Sequence, residues 1–413
     1  MIVDIPKIKF RERAFFLSYG IYLIFAILRN SFYYRYFSGI YKFIILFCCM
    51  LLVMQEIVDA DISGKTWISK RIRISGKSAV GLLICGLLFC IVYSGSEGIS
   101  QKAVAVVFFY IFCSRKIDFE KIARFTIILS GIVLSFVILS SYLGIIDNYL
   151  YVYAGGTRSR HLLGFRWALY APTIFYNISA LWVYLKQKTA KPWQIGMMLL
   201  IDFFLYVQTD SRSIAALTAV VLLIPAGLKL SDRINGIIGY RWQNSRIVNY
   251  AGALVIPVFV ILAIASIIMG IVYDPSISWM SRINASLDGR LLLSQNAIME
   301  YGIPWLSQNI EMVGSGFDAY GNREIKVYTY IDSFYVQTLV HYGIIFKVIF
   351  LTVITYALIR FYREKRYVLM FLFLLLAFHF LTDDLQMNLY ANTFWLIIGS
   401  MLMKNGRDKA GSG

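Results

Sequence analysis

The residues best suited to chemistry in this chain are several arginines and one aspartate that lie between long apolar runs. Guanidinium groups bind phosphate in a bidentate manner, so grouped arginines are typical of sites that hold phosphate groups. A nearby carboxylate can take a proton from a hydroxyl group. The candidate catalytic residues are Arg160, Arg212, Arg290 and Asp332, and the candidate substrate-binding residues are Arg158, His161, Arg166, Arg282 and Tyr335.

The first group lies in the stretch GGTRSRHLLGFRW, residues 155–167. Its two glycines allow the backbone to approach a ligand closely. Three arginines and one histidine then create a positive field where a helix is predicted to begin, and free N–H groups at a helix start also favour anions. Pairing of these arginines with lipid phosphates is the alternative interpretation.

Arg212 follows a predicted turn in the stretch QTDSRS and falls in the first turn of an apolar helix. A cation at a helix N-terminus opposes the helix dipole. Either a salt bridge with Asp210 or an anionic ligand would offset that cost, and the sequence leaves both open.

A long polar interval, residues 274–332, carries Arg282 and Arg290. Loops of this length are usually functional or disordered. Apolar residues such as Trp279 and Trp305 favour an ordered loop. If one helix covers both arginines, they share a face about 12 Å apart, although Gly289 marks a possible bend. The later GSGFDAYG stretch is predicted to be a turn rather than a phosphate cradle.

Asp332 precedes another apolar run and has two interpretations. With Ser333 it can cap the helix that follows, or it can act as a general base beside the arginines. His341 lies nine residues later, on the opposite face of a regular helix and about 13 Å deeper. We therefore interpret His341 as an interior histidine. The Thr382-Asp383-Asp384 stretch is a further candidate to hold an arginine or to bind sugar hydroxyls.

Long apolar runs must position these residues. The chain is 59% hydrophobic, whereas ordinary soluble domains are about 45–50% apolar. We predict an all-α polytopic membrane protein with a single transmembrane domain, residues 1–413, and about twelve helices, ten to twelve being plausible. The predicted segments are 14–28, 40–58, 78–93, 99–113, 122–146, 167–185, 193–208, 213–228, 248–273, 333–359, 367–382 and 390–403.

The distribution of charge predicts the orientation. With the N-terminus inside, every inside interval carries at least three lysines or arginines, as the positive-inside rule expects. Both termini are then cytoplasmic, and the loop 274–332 between the ninth and tenth helices is extracytoplasmic. The net charge of +17 is thereby attributed to topology rather than to nucleic-acid binding. The candidate arginines lie on the outer side, against the bias.

These stretches together resemble the bacterial O-antigen, capsule and exopolysaccharide polymerases (Wzy type) and the related O-antigen ligases. RSRHLLGF at 158–165 is similar to the arginine-rich stretch of Gram-positive polymerases, DSRS to the family's Ser-Arg motif, and DGRLLL to the Gly-Arg that begins the helical part of the loop. The ligase pattern H[NSQ]xxLxxxxxxG is matched by Ser333 and Gly343. Asp332 replaces its histidine and Val336 its leucine, which argues against a ligase.

The resemblance implies a GT-C-like glycosyltransferase in the bacterial plasma membrane whose active site faces outward. It would join polyprenyl-diphosphate-linked oligosaccharides with inversion and without metal or other cofactor. Arg160, Arg212 and Arg290 would bind the diphosphate, and Asp332 would act on the acceptor hydroxyl. The implied partners are the lipid-linked substrates, membrane lipid, a flippase and a chain-length regulator, with no nucleic acid.

Three alternatives stay open. A flippase or other transporter of lipid-linked oligosaccharide would carry charges along a central cavity and often shows internal repeats, and no repeat is evident here. A ligase would move the glycan to a different acceptor, such as a teichoic-type one. A non-catalytic assembly partner would need no arginine cluster.

Overall fold

The computed structural model of this protein is mostly helical and describes residues 5–59, 62–63, 71–72, 76–152, 159–238, 246–323 and 327–402. Its helices are α1 (Ile5–Arg29), α2 (Tyr34–Phe37), α3 (Tyr41–Asp59), α4 (Gly76–Ser94), α5 (Ile99–Ala105), α6 (Val107–Cys113), α7 (Phe119–Tyr142), α8 (Tyr170–Lys186), α9 (Pro192–Thr209), α10 (Arg212–Ile238), α11 (Arg246–Val255), α12 (Val258–Val272), α13 (Ser278–Ser286), α14 (Arg290–Tyr301), α15 (Phe334–Arg363), α16 (Tyr367–His379) and α17 (Trp395–Leu402). Two antiparallel strand pairs join β1 (Ile62–Ser63) to β2 (Arg71–Ile72) and β3 (Leu150–Val152) to β4 (Ser159–His161).

Each of the twelve predicted apolar segments contains helix, but three of them are broken, including 333–359, which is interrupted at Gly343. The segment 99–113 divides at Val106 into α5 and α6. The segment 248–273 divides before Pro257, and the two pieces meet at 47°. Proline has no N–H to donate and clashes with the preceding turn, so a bend at this position is expected.

Three helices of the described residues are long and apolar enough to cross a membrane: Phe119–Tyr142, Arg212–Arg233 and Phe334–Arg363. The bent pair α11–α12 adds a fourth if it counts as one span. Large apolar side chains are exposed on many helices, for example Leu46, Leu83 and Leu200. These features support an all-α, membrane-associated protein. The number of spans and their orientation stay predictions.

Inside the helical bundle, aromatic and aliphatic side chains form one large core. Several buried polar groups in it pair with one another, as low-dielectric surroundings favour. The Tyr19 hydroxyl lies 2.9 Å from the Thr126 hydroxyl. The Asn177 amide of α8 donates to the Thr393 hydroxyl at 2.9 Å and accepts from the Thr393 backbone N–H at 3.1 Å. This exchange fixes α8 against the chain that enters α17.

The connections that the sequence assigns to the outer side meet at one end of the bundle. Ser31 bridges to Phe165, Arg35 pairs with Asp147 at 3.2 Å, and the Phe317 backbone N–H donates to the Arg166 carbonyl at 2.9 Å. These contacts join residues that are far apart in sequence. They create a common platform of loops, on which Arg160, Arg212, Arg290 and Asp332 lie.

α15 is two helices joined at Gly343, where φ is 84° and ψ is 177°. The segment Ile303–Gln308, here called the elbow, occupies the break. Its backbone carbonyls at Pro304 and Trp305 accept from the N–H groups of Ile344 and Ile345, at 2.9 and 3.2 Å, and its Gln308 donates to the carbonyls of His341 and Val340, at 3.0 and 2.9 Å. The polar loop therefore supplies the hydrogen bonds that a continuous helix would have made within itself.

Candidate active site

A cavity of about 540 Å³ brings all four predicted catalytic residues together. Arg160, Arg212, Arg290 and Asp332 line it, although up to 172 positions separate them in sequence. Each comes from a different element: strand β4, the start of α10, the start of α14 and the residue pair before α15. Three guanidinium groups and one carboxylate thus share a single concave site.

Arg160 is positioned by the β3–β4 hairpin, in which it lies opposite Tyr151. Alternation along β4 turns Arg160 inward while its neighbour Ser159 is exposed. Its Nη2 lies 3.4 Å from the Asp210 carbonyl oxygen, and its guanidinium lies 5.8 Å from the centre of the Trp167 ring. Arg160 therefore connects the hairpin to the turn that precedes α10.

The turn before Arg212 places Asp210 in the left-handed backbone region, with φ 43°. Arg212 Nε donates to Asp210 Oδ1 at 3.1 Å. The salt bridge that the sequence left open is thus formed, and Arg212 also lines the cavity. Because most of its side chain stays exposed, the guanidinium keeps donors available for a ligand.

Arg282 and Arg290 do not share a helix. α13 ends at Ser286 and α14 begins at Arg290, because Asp288 and Gly289 both adopt positive φ, 52° and 83°. Gly289 is thus the bend that the sequence marked. Arg282 is exposed and lines neither this cavity nor its neighbour, so its predicted role beside Arg290 is not supported by the geometry.

Arg290 is held rigidly at the start of α14. Its side chain is 13% exposed, and Nη1 donates to the Leu287 carbonyl at 2.9 Å. Its Nε lies 3.9 Å from Asp332 Oδ2, and Nη1 lies 3.8 Å from Asp288 Oδ2. Arg290 is thereby preorganised as a cation between two carboxylates and the cavity.

Asp332 does not cap α15. The residue at the cap position is Ser333, and it makes no side-chain capping bond. Asp332 instead accepts from the Tyr328 hydroxyl at 3.0 and 3.1 Å and lies beside Arg290. Burial raises the pKa of Asp332, while Arg290 and Tyr328 oppose part of that rise. A carboxylate with a raised pKa is a better base than a free aspartate.

A smaller lobe of about 240 Å³ adjoins the first and shares Trp167, Tyr328, Asp332 and Thr382 with it. Its other polar lining includes Arg166 and Asp384. The GSG turn predicted at Gly314–Gly316 forms one wall, where a Cβ at Gly316 would lie 3.4 Å from the Arg166 carbonyl oxygen. Aromatic rings and carboxylates around a concave space are suited to sugar rings and their hydroxyls.

Asp384 is the most distinctive group of the smaller lobe. Its Oδ2 accepts from the Tyr330 hydroxyl at 2.6 Å and from the Gln337 amide at 2.9 Å. Burial and the neighbouring Asp383 raise its pKa to about 7, against the effect of those two bonds. Asp383 itself pairs with His379 at 3.0 Å. The two adjacent carboxylates therefore have different environments.

Three of the other predicted residues have other positions, and a fourth lies outside the described residues. Arg166 lines the smaller lobe, with its guanidinium 5.4 Å from the Tyr34 ring centre. His161 ends β4 and lines neither lobe. Tyr335 is fully buried and its hydroxyl donates to the Ala377 carbonyl at 2.9 Å, so it belongs to the core. Arg158 lies outside the described residues.

The lining residues Tyr328 and Arg323 were absent from the predicted set, and Asp384 was predicted only as part of the stretch Thr382-Asp383-Asp384. Tyr328 holds the carboxylate of Asp332, and Asp384 lines the smaller lobe together with Asp332. Arg323 places its guanidinium 4.6 Å above the Tyr151 ring at the wall of the larger cavity. The sequence signals that could have identified Asp384 and Tyr328 are the acidic pair after α16 and the tyrosine-rich YTYID stretch. Their separation of more than fifty residues hid their relation.

Among the described residues, no three or more His, Cys, Asp or Glu side chains are arranged to hold a metal ion. Positive charge in the cavity comes from guanidinium groups. Comparison with protein-family models, with curated proteins and with solved structures found no match to this chain.

Proposed function

We propose that this protein is a glycosyltransferase that joins polyprenyl-diphosphate-linked oligosaccharide units into a polysaccharide. The observation that carries the proposal is the convergence of Arg160, Arg212 and Arg290 with Asp332 on one cavity. Three guanidinium groups match an anionic diphosphate, which they can bind in bidentate fashion. The resemblance of the surrounding motifs to Wzy-type polymerases supports the same substrate class.

In the proposed reaction the acceptor hydroxyl oxygen attacks the anomeric carbon of the donor sugar. The bond from that carbon to the diphosphate oxygen breaks, and polyprenyl diphosphate leaves with the electron pair. Asp332 takes the hydroxyl proton. Direct displacement inverts the anomeric centre. Negative charge grows on the diphosphate as the bond breaks, and preorganised donors at such a position are worth roughly 10²–10³ in rate each.

The two lobes suggest how the substrates divide. The larger one, which Arg160, Arg212, Arg290 and Arg323 line, suits the diphosphate of the donor. The smaller one, with Trp167, Tyr170 and Asp384, suits the sugar of the acceptor. Asp332 lines both lobes, which is the position that a base between donor and acceptor requires.

We also propose the finer topology: twelve spans, both termini in the cytoplasm and the cavity on the outer face of the bacterial plasma membrane, in a GT-C-like arrangement. Helix at each of the twelve segments and the grouping of the outer connections at one end of the bundle support it. A donor already attached to a lipid diphosphate needs no nucleotide sugar, so such a reaction can occur outside the cell.

The test is a reconstitution of the purified protein in liposomes with purified lipid-linked repeat units. We expect ladders of longer lipid-linked glycan. Arg290→Ala should lower the rate about 10²–10³-fold, and Arg290→Lys should restore only part of it, because lysine binds phosphate as a point charge. Arg124→Ala is the matched control, since Arg124 is an exposed arginine on α7 that pairs with Glu120.

The products distinguish the competing functions. Movement of lipid-linked units between leaflets without longer products would identify a flippase. Transfer to a different acceptor, with no ladder, would identify a ligase. Ladders of unchanged length and rate from Arg290→Ala would refute the assignment of the cavity to the diphosphate.

A further inference from the structure

Part of the long loop forms a hairpin that runs alongside the membrane-crossing helices. We call the segment Arg290–Met312 the return hairpin: α14 is its first arm, the elbow is its turn, and residues 309–312 are its second arm. Ala297 of α14 packs with Val336 and Val340 of α15. A Cβ at Gly270 of α12 would lie 3.2 Å from Ser294. α14 therefore lies between the facing ends of α12 and α15.

The elbow lies at the ends of α4 and of the second part of α15, and each of these helices is about as long as the hydrocarbon core of a bilayer is thick. The second part of α15, from Ile344 to Arg363, has 20 residues and measures about 30 Å at 1.5 Å per residue. α4 has 19 residues, or about 28 Å, and the hydrocarbon core of a bilayer is about 30 Å thick. Just beyond α4, the Gly95 carbonyl lies 2.7 Å from His341 Nε2.

Contacts of the elbow confirm that the two helix ends are level with it. The Ser307 and Ser94 hydroxyls lie 2.8 Å apart. The elbow also bonds to the backbone on both sides of Gly343. The apolar helix α4 and the second part of α15 thus end at the same structural feature, and that feature is the turn of the return hairpin.

The surface of the elbow is apolar and exposed. Trp305 is 71% exposed and Leu306 is 55% exposed. The chain carries no charged residue from Tyr301 to Ile310. This surface continues onto exposed apolar side chains of α15, among them Ile345 and Val348. Unlike the elbow, α14 exposes the polar side chains of Asn296 and Glu300. Such side chains are expected on a helix at the level of the lipid head groups.

We propose that the elbow inserts into the boundary between lipid head groups and hydrocarbon, with the bilayer itself as its partner. Tryptophan is enriched at that boundary because its ring is amphipathic. Elbow backbone groups are bonded to α15, as insertion of non-helical chain requires. Anchored in this way, the elbow holds α14, and with it Arg290, at a fixed height above the membrane.

The test compares the accessibility of cysteines introduced one at a time at positions that are all more than half exposed. Trp305→Cys and Leu306→Cys report on the elbow. Tyr320→Cys and Val327→Cys are the controls, since these residues of the same loop are 66% and 82% exposed. Each variant is reconstituted alone in vesicles of phosphatidylcholine and phosphatidylglycerol and treated with a charged, membrane-impermeant maleimide. Peptide mass spectrometry reads each site, so the native cysteines stay in place.

We expect cysteines at 305 and 306 to react at least about tenfold more slowly than those at 320 and 327. Because all four positions belong to one loop, random orientation in the vesicles affects them equally. Rates within about threefold of one another would overturn the proposal. Because the vesicles contain no other protein, such rates would mean that the elbow faces water there. Its apolar surface would then be one that a protein partner, rather than lipid, covers.

A second measurement does not need cysteine variants. Vesicles that contain brominated lipid should quench the tryptophan fluorescence of the wild-type protein more than that of Trp305→Phe, and equal quenching would refute insertion. Neither readout requires substrate or catalysis. A failure of the polymerase proposal therefore leaves this inference standing, and the reverse also holds.

Discussion

Gly343 offers the sharpest test of how the long loop is held, through the substitution Gly343→Ala. An alanine there would bring its Cβ to 2.7 Å from the Leu306 carbonyl oxygen and to 2.8 Å from two other backbone atoms of Leu306. The contact is with backbone, so no side chain can move aside. The elbow must therefore shift away from α15, or the backbone at 343 must change.

The cost follows from two contributions. The backbone at 343, with φ 84° and ψ 177°, lies in a region essentially confined to glycine, so an alanine there costs about 1–3 kcal/mol in strain. Displacement of the elbow also loses the four hydrogen bonds that join it to α15, at about 1 kcal/mol each. The lower end of this sum is about 5 kcal/mol of local stability, on the order of 10³-fold in the opening equilibrium.

Hydrogen–deuterium exchange at the Ile344 and Ile345 amides measures this opening directly. Gly302→Ala is the matched control, because Gly302 has a similar backbone, φ 69° and ψ −167°, but nothing lies within 4 Å of its added Cβ. We expect Gly302→Ala to leave these two amides almost as protected as in the wild type. Gly343→Ala should expose them on the order of 10³-fold more often.

The reasoning is refuted if the two variants give the same exchange at Ile344 and Ile345. That result would mean that the elbow does not fill the break in α15. Loss of polymer synthesis in Gly343→Ala, with membrane insertion intact, would further indicate that the elbow positions Arg290.

Three other predictions concern Asp384, Asp332 and Arg282. The pKa of Asp384 in the folded protein is raised to about 7, so its contribution to stability is complete below about pH 4 and is lost as pH rises to 7. In thermal unfolding, the stability of Asp384→Asn should therefore decline less than that of the wild type across this pH range. An unchanged decline would contradict the assignment. Asp332→Asn should lower the rate of glycosyl transfer, measured in single-turnover kinetics, more than the affinity for the lipid-linked donor, measured as a dissociation constant. An equal loss in both would make Asp332 a binding residue. Arg282→Ala should cost much less activity than Arg290→Ala in the reconstituted assay, and an equal cost would return Arg282 to the site.

The sequence predicted local features well because they depend on neighbouring residues. A run of apolar residues must form helix in a membrane, since its backbone groups need internal partners, and each predicted segment contains helix. Gly289 predicted a bend for the same local reason. The interior placement of His341, which is buried against Gly95, also followed from helical periodicity.

Other features depended on contacts across the chain. The break in α15 at Gly343 exists because the elbow bonds to it, and Asp384 lies beside the site because Tyr330 and Gln337 hold it there. The separation of Arg282 from Arg290 required Asp288 to adopt positive φ, which few residues other than glycine do.

The sequence by itself determined which kinds of residue this protein brings to its polar end: arginines, carboxylates and tyrosines between apolar helices. Only the tertiary structure decided which of them meet. Arg160, Arg212, Arg290 and Asp332 share a cavity, whereas Tyr335 is buried in the core and Arg282 faces solvent. The physical reason is that side-chain type is local information, while the distance between two side chains depends on the packing of every element between them.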